Sequence, residues 1–515
     1  MFLNQEDELA PEALYEIAKL LNSNPELDLI YTDEDQINNS GLRTDPFFKP
    51  DWSPDLLLGC DYVSHLAVYR ASLLNRMKDV QIGSLQYDLA LMFTEDTAKI
   101  GHIPKPLYST RRETNVDLDG SDSKKALEKA VMGRKLDAEV QVLGGGKFRV
   151  KYHLRTNPLV SVLIPTRNPT LIGHCLESLE KSSYRNLEVL VIDNSTASKV
   201  EETVERARNR SFWEGRRLQV LKYVVPEPFS FSAANNESVR EARGEYLLFL
   251  NDDTEVVNSD WIEAMLEHAQ RPEVGAVGAK LLYRDNTLQH AGITLGLRGP
   301  ADNVSGITEF QLGRLSNLVR NCSAVSAACM MIRKNLFVRE GMFDVELGRS
   351  WQDTDLCLRL RESGYRIIFT PFACLRHEHG KTRGTVGVVD KSPDEENARS
   401  VFYHRWRHLI DLGDPYYNRN LSPQTAFRIL VDPMQLLLEV YSSRDDLKAA
   451  YPEAAGGNYT RLLEWACKWG TSRDPSHYVL ARFTDWYRKR LEGSREKRSR
   501  LESLKVQARK LLSNE

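Results

Sequence analysis

The middle of this 515-residue chain is predicted to fold as a doubly wound α/β sheet. Three nearly continuous apolar runs, at 159–164, 187–192 and 246–250, have the composition of parallel strands that are buried on both faces, and the first two are rich in β-branched residues. Segments with helical periodicity alternate with these runs. Each run ends on polar residues, and ligands bind beyond the carboxyl ends of such strands. The pattern therefore predicts both the sheet and the edge at which its pocket lies.

Composition narrows the class of protein. A chain of 515 residues is too long for one core, so roughly two to four domains are expected. The net charge of −3 argues against nucleic acid as a partner. Seven scattered cysteines without a CxxC pair predict neither a disulfide framework nor a structural zinc site. Without a signal peptide or an uncharged apolar run of about 18 residues, the chain is expected to be cytoplasmic, with peripheral membrane contact at most.

Changes in composition divide the chain into four segments. Residues 1–112 open with a helical pattern, followed by a strand-like run that leads into an acidic stretch. Residues 113–157 combine a charged helix, three consecutive glycines and a strand-like stretch, which indicates a linker with some structure of its own. The predicted sheet occupies 158–400, and 401–515 is helical and rich in aromatic residues.

The last stretch, 488–515, is strongly basic, with ten basic and four acidic residues. Its apolar residues have the spacing of a narrow helical stripe: Leu501, Leu504, Ala508 and Leu511. Two interpretations remain open. The stripe can belong to a solvated terminal helix, or to a helix that docks on a partner protein or on an anionic membrane face.

An acidic cluster follows the third strand of the predicted sheet. Asn251, Asp252 and Asp253 emerge where the strand 246–250 ends, at the ligand side of the sheet. Oxygen ligands suit a hard divalent cation such as Mg²⁺ or Mn²⁺, and such an ion also binds a diphosphate. An acidic pair in this position can equally be a solvated turn or a helix cap, so the cluster alone leaves both interpretations open.

A second candidate is Asp353, in the segment WQDTDLCLRL. If a helix begins there, three apolar residues lie on the same face as Asp353: Leu356, Cys357 and Leu360. Asp353 is then expected to point inward, whereas Asp355 is turned about 200° away. An inward carboxylate at a helix start can act as a general base, and the alternative is a helix cap.

The third candidate is the run that begins with His377, Glu378 and His379. A histidine beside a carboxylate site can complete a metal shell. The nearby Lys381 and Arg383 could bind phosphates. The alternative is a charged surface loop in which all of these side chains meet only solvent.

Taken together, residues 159–384 resemble family 2 glycosyltransferases with the GT-A fold. They are most similar to the bacterial subgroup that builds O-antigen and other surface polysaccharides, including rhamnosyltransferase-like members. Eight stretches carry the resemblance, in the family's order: VSVLIPTRNP, VLVIDNST, FSFSAANN, GEYLLFLNDDTEV, GAVGAKLLYRDNTLQHAG, SAVSAACMMIRK, WQDTDLCLRLRESGYR and RHEHGKTRG. Each stretch is weak alone, but jointly they are specific and cover about 225 residues.

The resemblance implies roles for matched residues. One group is implied to bind the nucleotide, with Asp193 placed at the base: Pro165, Thr166, Arg167, Asp193, Asn236 and Asp252. Asp253 and His377 are the implied metal ligands, because Asn251 replaces the first acid of the family's DXD motif. Asp353 matches the catalytic base. The residues implied to bind substrate are Trp351, Gln352 and His290.

The implied reaction is an inverting, single-displacement transfer. The donor is a nucleoside-diphosphate sugar, such as a UDP- or dTDP-sugar, and the acceptor is a hydroxyl of a saccharide or lipid-linked molecule. Asp353 takes the proton of that hydroxyl, and Mg²⁺ or Mn²⁺ stabilises the departing diphosphate. The alternative is a catalytically inactive scaffold or binding subunit of a polysaccharide assembly complex. A dinucleotide-dependent enzyme is disfavoured because no GxGxxG motif follows the first strand.

Residues 1–112, hereafter the half-domain, resemble the second half of another domain of this subgroup, whose members often carry two in tandem. The resemblance rests on YTDEDQIN, FFKPDWSPDLLL, CDYVSHLAVYR and YDLAL. The strands that would bind a nucleotide are missing from it. Gln86 stands where relatives carry the catalytic carboxylate, and a glutamine cannot accept the proton. The half-domain is therefore expected to be inactive and to serve packing, acceptor binding or assembly, unless the sequence is a piece of a longer chain.

Overall fold

A computed structural model describes most of the chain up to residue 462. The residues outside the description are 2, 4, 38–42, 75–85, 112–119, 196–198, 224–228, 349, 378–392, 424–425, 428–440, 442–444, 457–460 and 463–515. The basic stretch 488–515 and the predicted phosphate-binding residues Lys381 and Arg383 lie there, as does His379. No helix among the described residues is long and apolar enough to cross a membrane.

The helices of the described chain are labelled in chain order. Their bounds are α1 Ala13–Ser23, α2 Pro54–Leu57, α3 Ala71–Leu74, α4 Gln86–Phe93, α5 Ser121–Gly133, α6 Pro169–Leu179, α7 Lys199–Arg208, α8 Phe231–Ser238, α9 Trp261–Ala269, α10 Lys334–Arg339, α11 Gln352–Glu362, α12 Pro393–Leu412 and α13 Asp445–Ala450. Short 3₁₀ turns are formed by Ser211–Trp213, Glu309–Leu315, Val345–Leu347 and Pro452–Ala454.

The strands are labelled in the same way. Their bounds are β1 Glu8–Leu9, β2 Leu29–Ile37, β3 Arg43–Phe47, β4 Val68–Tyr69, β5 Ile100–Arg111, β6 Ala138–Gly144, β7 Lys147–Tyr152, β8 Val160–Thr166, β9 Leu187–Asp193, β10 Leu218–Lys222, β11 Tyr246–Leu250, β12 Thr254–Val256, β13 Val274–Leu282, β14 Leu288–His290, β15 Ile293–Leu295, β16 Ala301–Asn303, β17 Arg320–Asn321, β18 Cys329–Arg333 and β19 Arg366–His377.

The chain separates into two compact units. The larger unit comprises 1–294, 303–398 and 415–418, and it contains the half-domain and the central sheet. The smaller unit comprises 295–302, 399–414 and the residues from 419 onward.

The central sheet has the order β10-β9-β8-β11-β18-β13-β19-β12, with β14 beside β13 and β17 beside β19. The three predicted strands are β8, β9 and β11, and every residue in them is buried. Their largely apolar sequence follows from this burial, since helices cover both faces of such a sheet. Strand β18 runs antiparallel to both of its neighbours, β11 and β13. The prediction of a doubly wound α/β sheet is thus confirmed, and the sheet is mixed.

The topology brings the polar strand ends together. Strands β9 and β11 both pair with β8 in parallel, so their carboxyl ends share one edge of the sheet. At that edge β8 ends at Thr166, β9 ends at Asp193, and β11 is followed by Asn251. The next helix, α6, is started by Asn168, whose side chain accepts hydrogen bonds from the amides of the first turn.

The half-domain has its own sheet, in the order β1-β5-β2-β3 with β4 beside β2. Its pairing repeats that of the second half of the central sheet. Strand β5 runs parallel to β2 and antiparallel to β1, as β19 runs parallel to β13 and antiparallel to β12. Strands β3 and β4 pair antiparallel with β2, as β14 and β18 pair with β13.

The repeat extends to the register of the strands. Ile100 pairs with Leu29 as Ile367 pairs with Ala276. In this register Thr110 stands where β19 has His377, so the half-domain lacks a histidine at that position. Gln86 is the first residue of α4, as Gln352 is of α11, and its match to the catalytic carboxylate stays a prediction.

The predicted linker is regular structure in its described part. Helix α5 is followed by the antiparallel hairpin of β6 and β7. The Phe148 amide donates to the Gly59 carbonyl, and Arg149 pairs with Glu267 of α9 at 2.8 Å. The hairpin thus contacts both the half-domain and the central domain.

Buried polar groups also join the half-domain directly to the central domain. Both carboxylate oxygens of Asp55 accept hydrogen bonds from the central domain. Oδ1 accepts from Arg271 Nη1 at 2.6 Å, and Oδ2 accepts from Asn321 Nδ2 at 2.8 Å. Ser53 Oγ donates to Asn321 Oδ1 at 2.9 Å. Burial alone would raise the pKa of Asp55, but the guanidiniums of Arg271 and Arg366 lower it to about 2.

Candidate active site

The acidic cluster lies beside the end of β8. Thr166 Oγ1 donates to Asp252 Oδ2 at 2.6 Å, so two residues predicted to bind the nucleotide are in contact. Asp252 and Asp253 are buried, with 8% and 9% of their surface exposed. Burial raises the pKa of Asp252 to about 6, against the opposing effect of the Thr166 hydrogen bond. Pro165 is buried in β8, and Arg167 is exposed just beyond it.

The two predicted metal ligands are also in contact. His377, the last residue of β19, lies opposite Thr254 of β12, next to the cluster in sequence. Its Nε2 is 3.0 Å from Asp253 Oδ1 and 3.1 Å from Asn251 Nδ2. No group of three or more His, Cys, Asp and Glu side chains within the described part of the chain could hold a metal ion. An ion held by Asp253 and His377 would therefore need its other ligands from substrate or water.

A helix begins next to Asp353 as predicted, since Asp353 is the second residue of α11, and each of its oxygens accepts a backbone hydrogen bond. Oδ2 accepts from the Ala327 amide at 2.9 Å, and Oδ1 accepts from the Thr354 amide at 2.8 Å. The expected orientation of Asp355 was wrong. Asp355 is fully buried and paired with Arg359 at 2.9 Å, whereas Asp353 is only partly buried. The prediction assumed that only one face of the helix is buried, whereas α11 is buried around most of its circumference.

The two residues before Asp353 differ in their environment. Trp351 has a φ of 60°, a left-handed conformation that costs a bulky residue free energy and is concentrated at functional sites. Gln352 is buried, and no hydrogen-bond partner for its Oε1 occurs among the described residues. Both stay predicted substrate-binding residues, and the buried amide oxygen is a group that a ligand hydroxyl could satisfy.

His290, the third residue implied to bind substrate, is fully buried at the end of β14. Its Nδ1 is 2.5 Å from Asn303 Oδ1, and its Nε2 accepts from the Ser326 amide at 3.4 Å. Burial lowers the pKa of His290 to about 4, so the ring is neutral near pH 7. In this arrangement both ring nitrogens are bonded to protein.

Two residues implied to bind the nucleotide have protein partners here. Asp193 Oδ1 accepts from the amide and the hydroxyl of Ser195 at 2.9 and 2.6 Å, and Oδ2 pairs with Lys222. Asn236 donates to the Phe343 carbonyl at 2.7 Å and accepts from its amide at 3.1 Å, which ties α8 to that loop.

Lys222 was missed by the sequence reasoning. It is the last residue of β10 and lies opposite Asp193 in the parallel register of β9 and β10. A basic residue at a strand end, next to a strand that ends in a carboxylate, is the signal that could have identified it.

Comparisons with known proteins give one family match and several similar proteins. The model of glycosyl transferase family 2 matches residues 161–338. The chain is 36% identical over 448 residues to the O-antigen biosynthesis protein RfbC of Myxococcus xanthus, covering 82% of this chain and 33% of that protein. It is 35% identical over 460 residues to the uncharacterized protein y4gI of Sinorhizobium fredii, covering 84% of this chain and 49% of that protein.

A more distant relative is the N-acetylglucosaminyl-diphospho-decaprenol L-rhamnosyltransferase of Mycobacterium tuberculosis. It is 26% identical over 222 residues, which are 41% of this chain and 72% of that protein. The chain thus spans about a third of RfbC and about half of y4gI.

Proposed function

Because residues 161–338 are a domain of glycosyl transferase family 2, we propose that the chain transfers a sugar from a nucleoside-diphosphate sugar to a hydroxyl group. The acceptor is a saccharide or a lipid-linked saccharide in the synthesis of a bacterial surface polysaccharide. The printed name of RfbC supports this setting. UDP- and dTDP-sugars are the donor classes to test first, since the resemblance of the motifs points to them.

One observation carries the proposal: the candidate base and the acidic cluster are connected through a single turn. Ala327 donates its amide to Asp353, and the carbonyl of Ala328 accepts from the amide of Asn251. The base therefore has a fixed connection to the site where Asp253 and His377 meet. A scaffold without chemistry has no reason to keep these groups together.

The side chains support an inverting, single-displacement transfer. Asp353 is the general base that takes the acceptor's proton at one of its carboxylate oxygens. Thr166 and Asp252 orient the donor nucleotide. Asp253 and His377 would hold Mg²⁺ or Mn²⁺, which when bound neutralises the charge of the leaving diphosphate. The carboxylate oxygen of Asp253 suits Mg²⁺ or Mn²⁺, and the imidazole nitrogen of His377 beside it is a common metal ligand.

A panel of nucleotide sugars tests the proposal. Each is incubated with the chain, Mg²⁺ or Mn²⁺ and simple saccharide acceptors, and nucleoside diphosphate release is measured. At least one donor should be turned over in a metal-dependent manner. NMR of the product should show an anomeric configuration opposite to that of the donor.

The matched variant is Asp353→Asn, which keeps the size of the side chain and removes the base. Its kcat should fall by about 10²–10⁴. Equal turnover by this variant would remove Asp353 from the role. If no nucleotide binds the chain, the second candidate function is favoured, which is a non-catalytic scaffold. The half-domain, with Gln86 and Thr110, is the part of the chain that is already expected to be inactive.

A further inference from the structure

The turn formed by residues 326–328 is the element that connects the candidate base to the acidic cluster. Its Ala327 amide donates to Asp353 Oδ2 at 2.9 Å. Its Ala328 carbonyl accepts from the Asn251 amide at 3.1 Å. The Ala328 amide donates to Ser326 Oγ at 3.3 Å, which closes the turn on itself. Movement of this turn changes the position of Asp353 relative to the cluster.

His290 contacts the same turn from the protein interior. Its Nε2 is 3.4 Å from the Ser326 amide nitrogen. A backbone N–H can only donate, so Nε2 must be the unprotonated acceptor. The proton of the neutral ring is then on Nδ1, where it is donated to Asn303 Oδ1 at 2.5 Å. One tautomer satisfies both contacts, and the interior position of the ring keeps it fixed.

We propose that His290 is a positioning residue for Asp353, which acts by holding the 326–328 turn. The proposal rests on the proposed function, because it takes Asp353 to be the base. It replaces the substrate-binding role that the resemblance implied for His290, since the ring is fully buried and both of its nitrogens are engaged by protein.

The chain of contacts predicts which kinetic parameter responds. In His290→Leu the Ser326 amide loses its acceptor, and the turn is free to shift together with the amide that fixes Asp353. A small misplacement of a reacting group costs up to about 10²-fold in rate, so kcat should fall by roughly 10- to 100-fold. The KM for the donor should stay within about twofold, because the contacts of Asp252 with Thr166 and of Asp253 with His377 do not pass through His290.

Two further variants separate positioning from general packing. His290→Gln keeps an acceptor that can reach the Ser326 amide, so it should recover most of the lost kcat. His268→Leu is the control, since His268 is also a buried histidine but its ring contacts Arg271 and Tyr152. Its kcat should change by less than about twofold even if its melting temperature falls.

A double-variant cycle with Asp353→Asn tests whether His290 acts through Asp353. In the Asp353→Asn background, His290→Leu should cause no further loss of kcat. Equal losses of kcat in both backgrounds would overturn the proposal. So would a rise in the KM with kcat unchanged, since that result means that His290 contacts the substrate.

Hydrogen–deuterium exchange of the unliganded protein provides a readout that does not depend on activity. The peptide that contains residues 326–328 should exchange faster in His290→Leu than in the wild type and in His268→Leu. Unchanged exchange overturns the proposal, whether or not the chain transfers a sugar. Wild-type chain that turns over no donor refutes the proposed function instead, and the exchange data still decide whether His290 holds the turn.

Discussion

At the scale of single residues, the carboxylates of the candidate site differ in their burial and in their hydrogen-bond partners. Asp193 is held by Ser195 and by the ammonium of Lys222. Asp252 has a pKa raised to about 6 by burial. Asp353 is held by one backbone amide on each oxygen and is only partly buried. Asp353 is thus the one of these three whose side chain is both held by backbone amides and partly exposed, and a general base must be within hydrogen-bond reach of the substrate's proton.

His377 provides the residue-scale prediction. His377→Ala removes one of the two protein groups proposed to hold the metal ion. The Mn²⁺ concentration for half-maximal transfer should rise at least about tenfold, which is the smaller end of the effect of losing groups that support a metal site. His174→Ala, on the exposed side of α6, is the control and should leave that concentration unchanged. An unchanged Mn²⁺ requirement in His377→Ala would exclude His377 as a ligand.

At the scale of elements, β13 packs so closely against the segment before the 326–328 turn that one position of the strand admits only glycine. Gly278 of β13 leaves no room for a side chain, because an added Cβ would come within 2.4 Å of the Cβ of Val325. Val325 directly precedes the turn. The packing of one glycine is therefore coupled in space to the position of Asp353.

Gly278→Ala tests this coupling. The extra carbon forces β13 and Val325 apart, and such overpacking typically costs about 1–3 kcal/mol. The free energy of unfolding of the variant, measured by urea titration, should fall by that amount. Transfer activity should fall as well, since the turn moves with Val325. Gly173→Ala is the matched control, because the nearest atom to its added Cβ is a methyl group of Thr203 at 3.2 Å and alanine favours the helix. If Gly278→Ala is as stable and active as the control, the close approach is not limiting.

The elements also show what the sequence could and could not predict. Strands β8, β9 and β11 were predictable because a nearly continuous apolar run indicates burial on both faces. The start of a helix near Asp353 was predictable from its periodicity. The burial of Asp355 was not, because the residues that surround the far side of α11 come from distant parts of the chain. The contact of His290 with the Ser326 amide depends on tertiary structure in the same way, and no spacing in the sequence encodes it.

At the scale of the whole molecule, the half-domain and the central domain belong to one compact unit. Ser53 and Asp55 of the half-domain bind Asn321, and Asp55 also binds Arg271. Helix α9, which carries Glu267, is buried along nearly its whole length, partly because the hairpin after the half-domain packs against it. The half-domain is therefore placed to support the fold of the central domain, whatever else it does.

Asp55→Asn tests that support. The variant keeps the size of the side chain but leaves Arg271 at a buried site without its closest charge, and breaking a buried pair in this way costs about 3 kcal/mol. The free energy of unfolding at pH 7 should fall by about that amount, and Asp137→Asn, whose carboxylate contacts the exposed ring of His153, is the control.

The pH dependence follows from the low pKa of Asp55. A carboxyl whose pKa falls from 3.8 in the unfolded chain to about 2 in the folded one stabilises the protein fully above pH 3.8. That contribution is lost as the pH falls towards 2, because protonation then neutralises the pair. The difference in unfolding free energy between wild type and Asp55→Asn should therefore stay constant from pH 7 to about 5 and shrink below about pH 4. A difference that stays constant down to pH 3 would contradict a charged Asp55 at the interface, and a difference near zero at pH 7 would show that the two domains do not depend on this pair.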